Sequence, residues 1–197
     1  MVLEIGPILI ADSGPLIRLA AADMLDAMRL TNKKIVIVDR IKDEICGDLS
    51  KPYAVEIASW LEKMGDVIAV PETATGNWIN TLRQRVAENN SPQIATQLKR
   101  ELRNSGERAI RDYIERLVPV EDHDALVLYE DSAVPALLQA SHVDLTLMTT
   151  AAFANFMTEI GYNKDARKAL AATGYTMKPA SVTKVEANSD MLVEIDD

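Results

Sequence analysis

Short apolar runs recur along the chain and alternate with segments of helical period. They are PILIAD (7–12), KIVIVD (34–39), DVIAV (66–70), ALVLYED (125–131) and VDLTLMT (143–149). Continuous apolar runs bounded by turn residues are the pattern of buried strands in a parallel sheet. Strands alternating with helices predict an α/β fold of three layers, α/β/α, with a mainly parallel central sheet. In such sheets, sites form just beyond the carboxyl ends of the strands. The residues that end each run therefore matter most.

The segments between the runs read as helices. PLIRLAAADMLDAMRL (15–30) follows Ser13, a cap residue, and begins on Pro15, which suits a first turn. RIKDEICGDL is expected as a short helix, and KPYAVEIASWLEKMG as a longer one closed by Gly65. Residues 71–104 lack strand character and read as a helical insertion of two polar helices divided at Ser91-Pro92. SGERAIRDYIERL is a stronger helix, with Ser105 as cap and Glu107 in the first turn. One domain over 1–177 is expected, followed by an acidic, loosely ordered tail over 178–197.

With 48% hydrophobic and 26% charged residues, the chain has the composition of a soluble globular protein. No run is long enough to span a bilayer, and the first residues lack the pattern of a signal segment. The single cysteine, Cys46, forms no internal disulfide, which fits a cytoplasmic location. Two histidines and one cysteine cannot build a structural zinc site, so any metal would be a hard one held by oxygens. The net charge of −9 argues against a surface that is basic throughout. The charge is uneven, however. Residues 83–116 hold eight basic side chains against five acidic ones, and residues 178–197 hold two against five.

Several acids fall at predicted strand or helix ends. Asp12 closes the first strand, and Glu130 and Asp131 close the fourth. Glu44 lies on the helix after KIVIVD, and Glu107 opens a helix. Each has an ordinary structural reading as a cap, a turn residue or a partner of the helix dipole. Together, at converging termini, they would form a costly group. Two carboxylates about 6 Å apart at an effective dielectric of about 20 repel by roughly 3 kcal/mol. A Mg²⁺ or Mn²⁺ ion is the natural compensation at neutral pH.

In sequence order, ILIADSGPLIRLA, VIVDRIKDEI, SGERAI and LVLYEDSAVPALL resemble the acidic motifs of PIN-domain nucleases. The nearest branch is the VapC-like ribonuclease toxins of toxin–antitoxin pairs, and the resemblance spans most of residues 7–175. It implies a PIN-like fold and a metal-dependent endoribonuclease acting on RNA. It also implies Asp12, Glu44, Glu107 and Asp131 as catalytic acids, with Asp12, Glu107 and Asp131 holding Mg²⁺ or Mn²⁺. Ser13 and Glu130 would be auxiliary, and Arg108 and Arg111 would contact the RNA backbone. A cognate antitoxin and a homodimer are the implied partners, with no membrane association. The chain departs from the family pattern at Tyr129-Glu130-Asp131, where two aspartates or Thr-x-Asp are common, and in its longer 71–104 segment.

Two other readings compete. One is a catalytically silent PIN-like module that binds protein or RNA. The other is a phosphatase with Asp12 as nucleophile. That chemistry needs a second aspartate two residues on, where this chain has Gly14.

Overall fold

Among the residues that the computed structural model describes (8–117, 125–162 and 165–188), six strands form one sheet. They are β1 (Ile8–Ala11), β2 (Lys34–Val36), β3 (Ile68–Ala69), β4 (Ala125–Tyr129), β5 (Leu145–Thr149) and β6 (Val182–Val185), in the order β3-β2-β1-β4-β5-β6. The first five are mutually parallel, and β6 runs antiparallel to β5. Every residue of β4 and β5 is buried. Side chains alternate between faces along a strand, so both faces of these strands are covered, as the apolar runs require. The architecture is α/β with a mostly parallel central sheet.

The strand order has a functional consequence. From β1 the chain moves outward to β2 and β3, then returns to the other side of β1 as β4. The direction of winding therefore reverses between β1 and β4, which pair from Ile8↔Ala125 to Ala11↔Leu128. A reversal of this kind opens a crevice at the carboxyl ends of the two strands. Asp12 and Asp131 emerge there, and the Asp12 backbone N–H continues the ladder to the Leu128 carbonyl at 3.0 Å.

The helices are α1 (Ser13–Ala21), α2 (Asp39–Cys46), α3 (Ala54–Met64), α4 (Ala74–Asn89) and α5 (Pro92–Glu101). They continue as α6 (Ser105–Ile114), α7 (Ala133–Leu138), α8 (Thr150–Glu159) and α9 (Ala166–Ala172). Residues 71–104 supply α4 and α5, separated at Ser91-Pro92 as expected. None of the α5 residues is fully buried, so this helix lies on the rim of the fold.

Several expectations need correction. The helix over 15–30 stops at Ala21, because Asp23 adopts a left-handed conformation (φ 54°) and a 3-10 segment, Leu25–Thr31, follows. That turn sends Met24 inward, with its N–H bonded to the Leu19 carbonyl at 2.7 Å and its side chain fully buried. The KIVIVD strand pairs only over Lys34–Val36, and Asp39 is already the first residue of α2. Neither Ser13 nor Ser105 acts as a cap. Both are first residues of their helices, after Asp12 and Asn104. The loosely ordered tail expected from 178 onward instead contains β6. This strand is mostly exposed and lacks an apolar pattern, so only its pairing with β5 defines it. Residues 189–197 lie outside the described ones.

Polar contacts tie α2, α4 and α6 together. Asp39 accepts from the Arg40 N–H (2.8 Å), the Thr73 hydroxyl (2.8 Å) and the Thr73 N–H (3.1 Å). The Thr73 hydroxyl in turn accepts from the Gly76 N–H at 3.0 Å, capping α4. Asp112 on α6 accepts from the Thr75 N–H at 2.6 Å. Buried Arg40 donates to Asp43 (2.7 Å) and reaches the Ser105 hydroxyl at 3.4 Å, while Arg83 of α4 joins Asp43 at 2.8 Å.

A Cβ at Gly76 would overlap the Asp39 carboxylate. Gly76→Ala is therefore expected to destabilise the protein by about 2 kcal/mol despite the better helix propensity of alanine. The check is a lower urea midpoint at unchanged slope.

Candidate functional site

The site grows from Asp12. Its residue takes the N-cap place of α1, yet its carboxylate makes no capping bond, and it is only 4% exposed. Burial pushes its pKa up from 3.8 to about 7. A hydrogen bond from the Ser13 backbone pulls the other way, and the charges of Glu107, Glu44 and Asp131 push it further up. The four acids singled out from the sequence therefore share one electrostatic neighbourhood.

Glu107 is half-buried on the first turn of α6. Burial raises its pKa, Asp131 and Glu44 raise it further, and neighbouring Arg108 opposes them. Gly106 explains how α6 comes so close to α2. A Cβ there would sit 2.6 Å from Ile41 Cδ1 and 3.3 Å from Glu44 Oε2. The glycine of the SGERAI motif is thus a close-approach residue that brings the Glu44 carboxylate to the start of α6. Glu44 itself is exposed and accepts from the Ser13 hydroxyl at 3.2 Å, which gives Ser13 an orienting part in place of a cap. Asp131 is exposed and accepts from the Ala133 N–H at 2.8 Å, at the entry to α7.

Glu130 faces another way. Its carboxylate accepts from the N–H groups of Thr150 and Lys178, each at 3.3 Å, and lies 3.7 Å from Arg18 Nε. Arg18 also donates to the Gly14 and Thr176 carbonyls and stacks over Tyr175. Glu130 fastens the chain after α9 to α1 and the start of α8. Its neighbour Gly14 is needed because a Cβ there would meet Glu130 Cβ at 2.8 Å.

Beside the acids, a cleft of about 620 Å³ separates α5 and the start of α6 from α7. Arg100, Arg103, Arg108 and Glu107 line one side, and Ala133, Ala136 and Leu137 line the other. Arg108 donates to the Glu101 carboxylate at 2.9 Å and to the Glu101 carbonyl. Arg100 reaches the same carboxylate at 3.2 Å. Arg111 is instead paired along α6 with Glu115 at 2.6 Å and does not line this cleft. Arg100 and Arg103 were visible in the sequence only as members of a basic segment. Their place beside Glu107 follows from how α5 folds back before α6.

The donor set is hard oxygen in a negatively charged pocket, which suits a divalent cation. Among the described residues, however, no three His, Cys, Asp or Glu side chains lie close enough together to hold a metal ion. Shared electrostatics is therefore present without a closed ligand shell. No helix of the described residues is long and apolar enough to cross a membrane. Comparisons with protein-family models, with curated proteins and with solved structures yield no match.

The Asp12 shift carries a sign. Because its folded pKa lies above its unfolded value, the native state holds a proton that the unfolded chain releases between about pH 4 and 7. Stability from this group therefore falls as pH rises through that window and is level above it. Asp12→Asn is expected to be more stable than the parent at pH 8, by up to about 4 kcal/mol, and equal to it below about pH 4. Urea unfolding of both proteins across this range provides the measurement.

Proposed function

We propose that the chain is a PIN-like, metal-dependent endoribonuclease of the kind found as toxins in toxin–antitoxin pairs. The observation that supports this best is the electrostatic coupling of Asp12, Glu44, Glu107 and Asp131 at the reversal point of a parallel sheet, beside an arginine-lined cleft. Asp12 and Glu107 are held where neighbouring carboxylates raise their pKa, an arrangement kept at a cost to stability, which is the signature of a site.

Asp12, Glu107 and Asp131 would hold Mg²⁺ or Mn²⁺, with Glu44 acting through water. Mg²⁺ keeps several waters and takes few carboxylates, so a site without three converged ligands still matches its needs. The bound ion supplies Lewis acidity and a water of lowered pKa. The protein's own part is to orient and to move protons. Ser13 holds Glu44 in place, and burial raises the proton affinity of Glu107. Arg100, Arg103 and Arg108 offer contacts to phosphate, which position a backbone without reading its sequence. A protein antitoxin, a homodimer and a cytoplasmic setting accompany the toxin reading.

The absence of a closed ligand shell among the described residues favours a second reading, a silent PIN-like module that binds protein or RNA. Calorimetry with Mn²⁺ separates the two. Binding at or below millimolar metal supports the nuclease, and no binding supports the silent module. In an assay on structured and single-stranded RNA, Asp12→Asn and Glu107→Gln are each expected to lower Mn²⁺-dependent cleavage about 10³-fold. This equals the loss of roughly 4 kcal/mol of transition-state stabilisation. Circular dichroism should stay unchanged. Full activity in Asp12→Asn would overturn the proposal.

A further inference from the structure

We infer that the pocket between α1, α2 and Tyr175 receives one unpaired base of the RNA, which therefore has to be single-stranded where it meets the acids. RNA as the substrate rests on the nuclease reading; a base subsite beside the acids goes beyond it. Ile17 of α1, Glu44 and Ile45 of α2, Lys51, Pro52 and Tyr175 line a pocket of about 230 Å³. Pockets that enclose whole small molecules run to about 300–1,000 Å³, so this one has room for a single flat ring system.

The pocket joins the acid group through Glu44. Glu44 Oε1 accepts from the Ser13 hydroxyl at 3.2 Å, and Oε2 lies 3.3 Å from where a Cβ of Gly106 would sit. Ile17 is four residues beyond Ser13 on α1, so it shares that face one turn, about 5.4 Å, further along. A stacked nucleic-acid strand advances about 3.4 Å per nucleotide. A strand whose phosphate meets the acids thus has this pocket within reach of a neighbouring base.

The lining has the chemistry of base recognition. Ile17, Ile45 and Pro52 are apolar, and half-buried Tyr175 adds an aromatic ring. Single-stranded RNA is held by stacking splayed bases on aromatic rings and by hydrogen bonds at the base edges. Glu44 and Lys51 supply that polar edge. Lys51 Nζ is tied to the Glu44 carbonyl at 2.7 Å and keeps further N–H groups to donate.

Tyr175 is also positioned in advance. Arg18 lies 5.7 Å from its ring centroid and donates to the Thr176 carbonyl at 3.0 Å, and the Tyr53 ring packs at 6.4 Å, tilted by 59°. Glu130 completes the support, 3.7 Å from Arg18 and bonded to the Lys178 N–H at 3.3 Å. The acid beside Asp131 thus holds the segment that carries the aromatic platform.

The test uses the full chain in Ca²⁺, a hard cation suited to the acids, with single-stranded RNAs carrying 4-thiouridine at varied positions. Photocrosslinks located by mass spectrometry are expected on Tyr175. An abasic nucleotide at the crosslinked position should weaken binding about 10-fold, and so should Tyr175→Ala. Combined, the two should weaken it no further than either alone, which a merely misfolded variant would not show. Tyr175→Phe should bind as the parent does, and binding of the same RNA as a duplex should be indifferent to Tyr175→Ala. Additive losses, crosslinks confined to the arginine cleft, or RNA binding untouched by Tyr175→Ala, as for a pocket that takes a protein side chain, would each overturn the inference. Crosslinks on Tyr175 in a protein that never cleaves RNA would keep the base pocket and remove the nuclease; cleavage without them would do the reverse.

Discussion

A carboxylate buried at the seam between two parallel strands is the constraint around which this structure is arranged. Asp12 continues the β1–β4 ladder through its N–H, so its position cannot relax without loss of sheet pairing. Its side chain is held out of water and among like charges, which raises its pKa to about 7. Nothing in folding alone calls for that arrangement. A neutral polar residue could occupy the same N-cap place without the penalty. The fold tolerates the cost because the surrounding apolar strands and the α2–α4–α6 contacts leave the backbone no alternative.

Those contacts set the geometry of the other acids. Asp39, Thr73 and Asp112 fix the start of α4 against α2 and α6. Arg40, Asp43 and Arg83 lock the same helices one layer further along. With the helices fastened, Gly106 lets α6 approach α2 until Glu44 and Glu107 influence one another. The buried cation Arg40 also lies near Glu44 and offsets part of the local negative charge. The acids thus owe their coupling to polar residues that take no direct part in it.

Two adjacent carboxylates, Glu130 and Asp131, show how local sequence and role can part. They leave the same strand, but side chains of neighbouring residues point to opposite sides. Asp131 reaches the acid group, while Glu130 turns to Arg18 and the backbone of Thr150 and Lys178. Arg108 and Arg111 diverge in a similar way. Residues three apart on a helix share a broad face, yet Arg108 is drawn to Glu101 on α5 and Arg111 to Glu115 one turn on.

The sequence by itself determined the α/β class, the helices and the parallel strands, because continuous apolar runs and helical periods are local patterns. It also pointed to Asp12, Glu44, Glu107 and Asp131, since acids at strand and helix ends can be read in order along the chain. What it could not determine was decided by partners distant in sequence. The exposed strand β6 exists through pairing with β5, and the break after Ala21 through the packing of Met24. Glu130 became a fastening, Ser13 a support for Glu44, and Arg100 and Arg103 the rim of a cleft, for the same reason. Each depends on a contact whose other half no local pattern encodes.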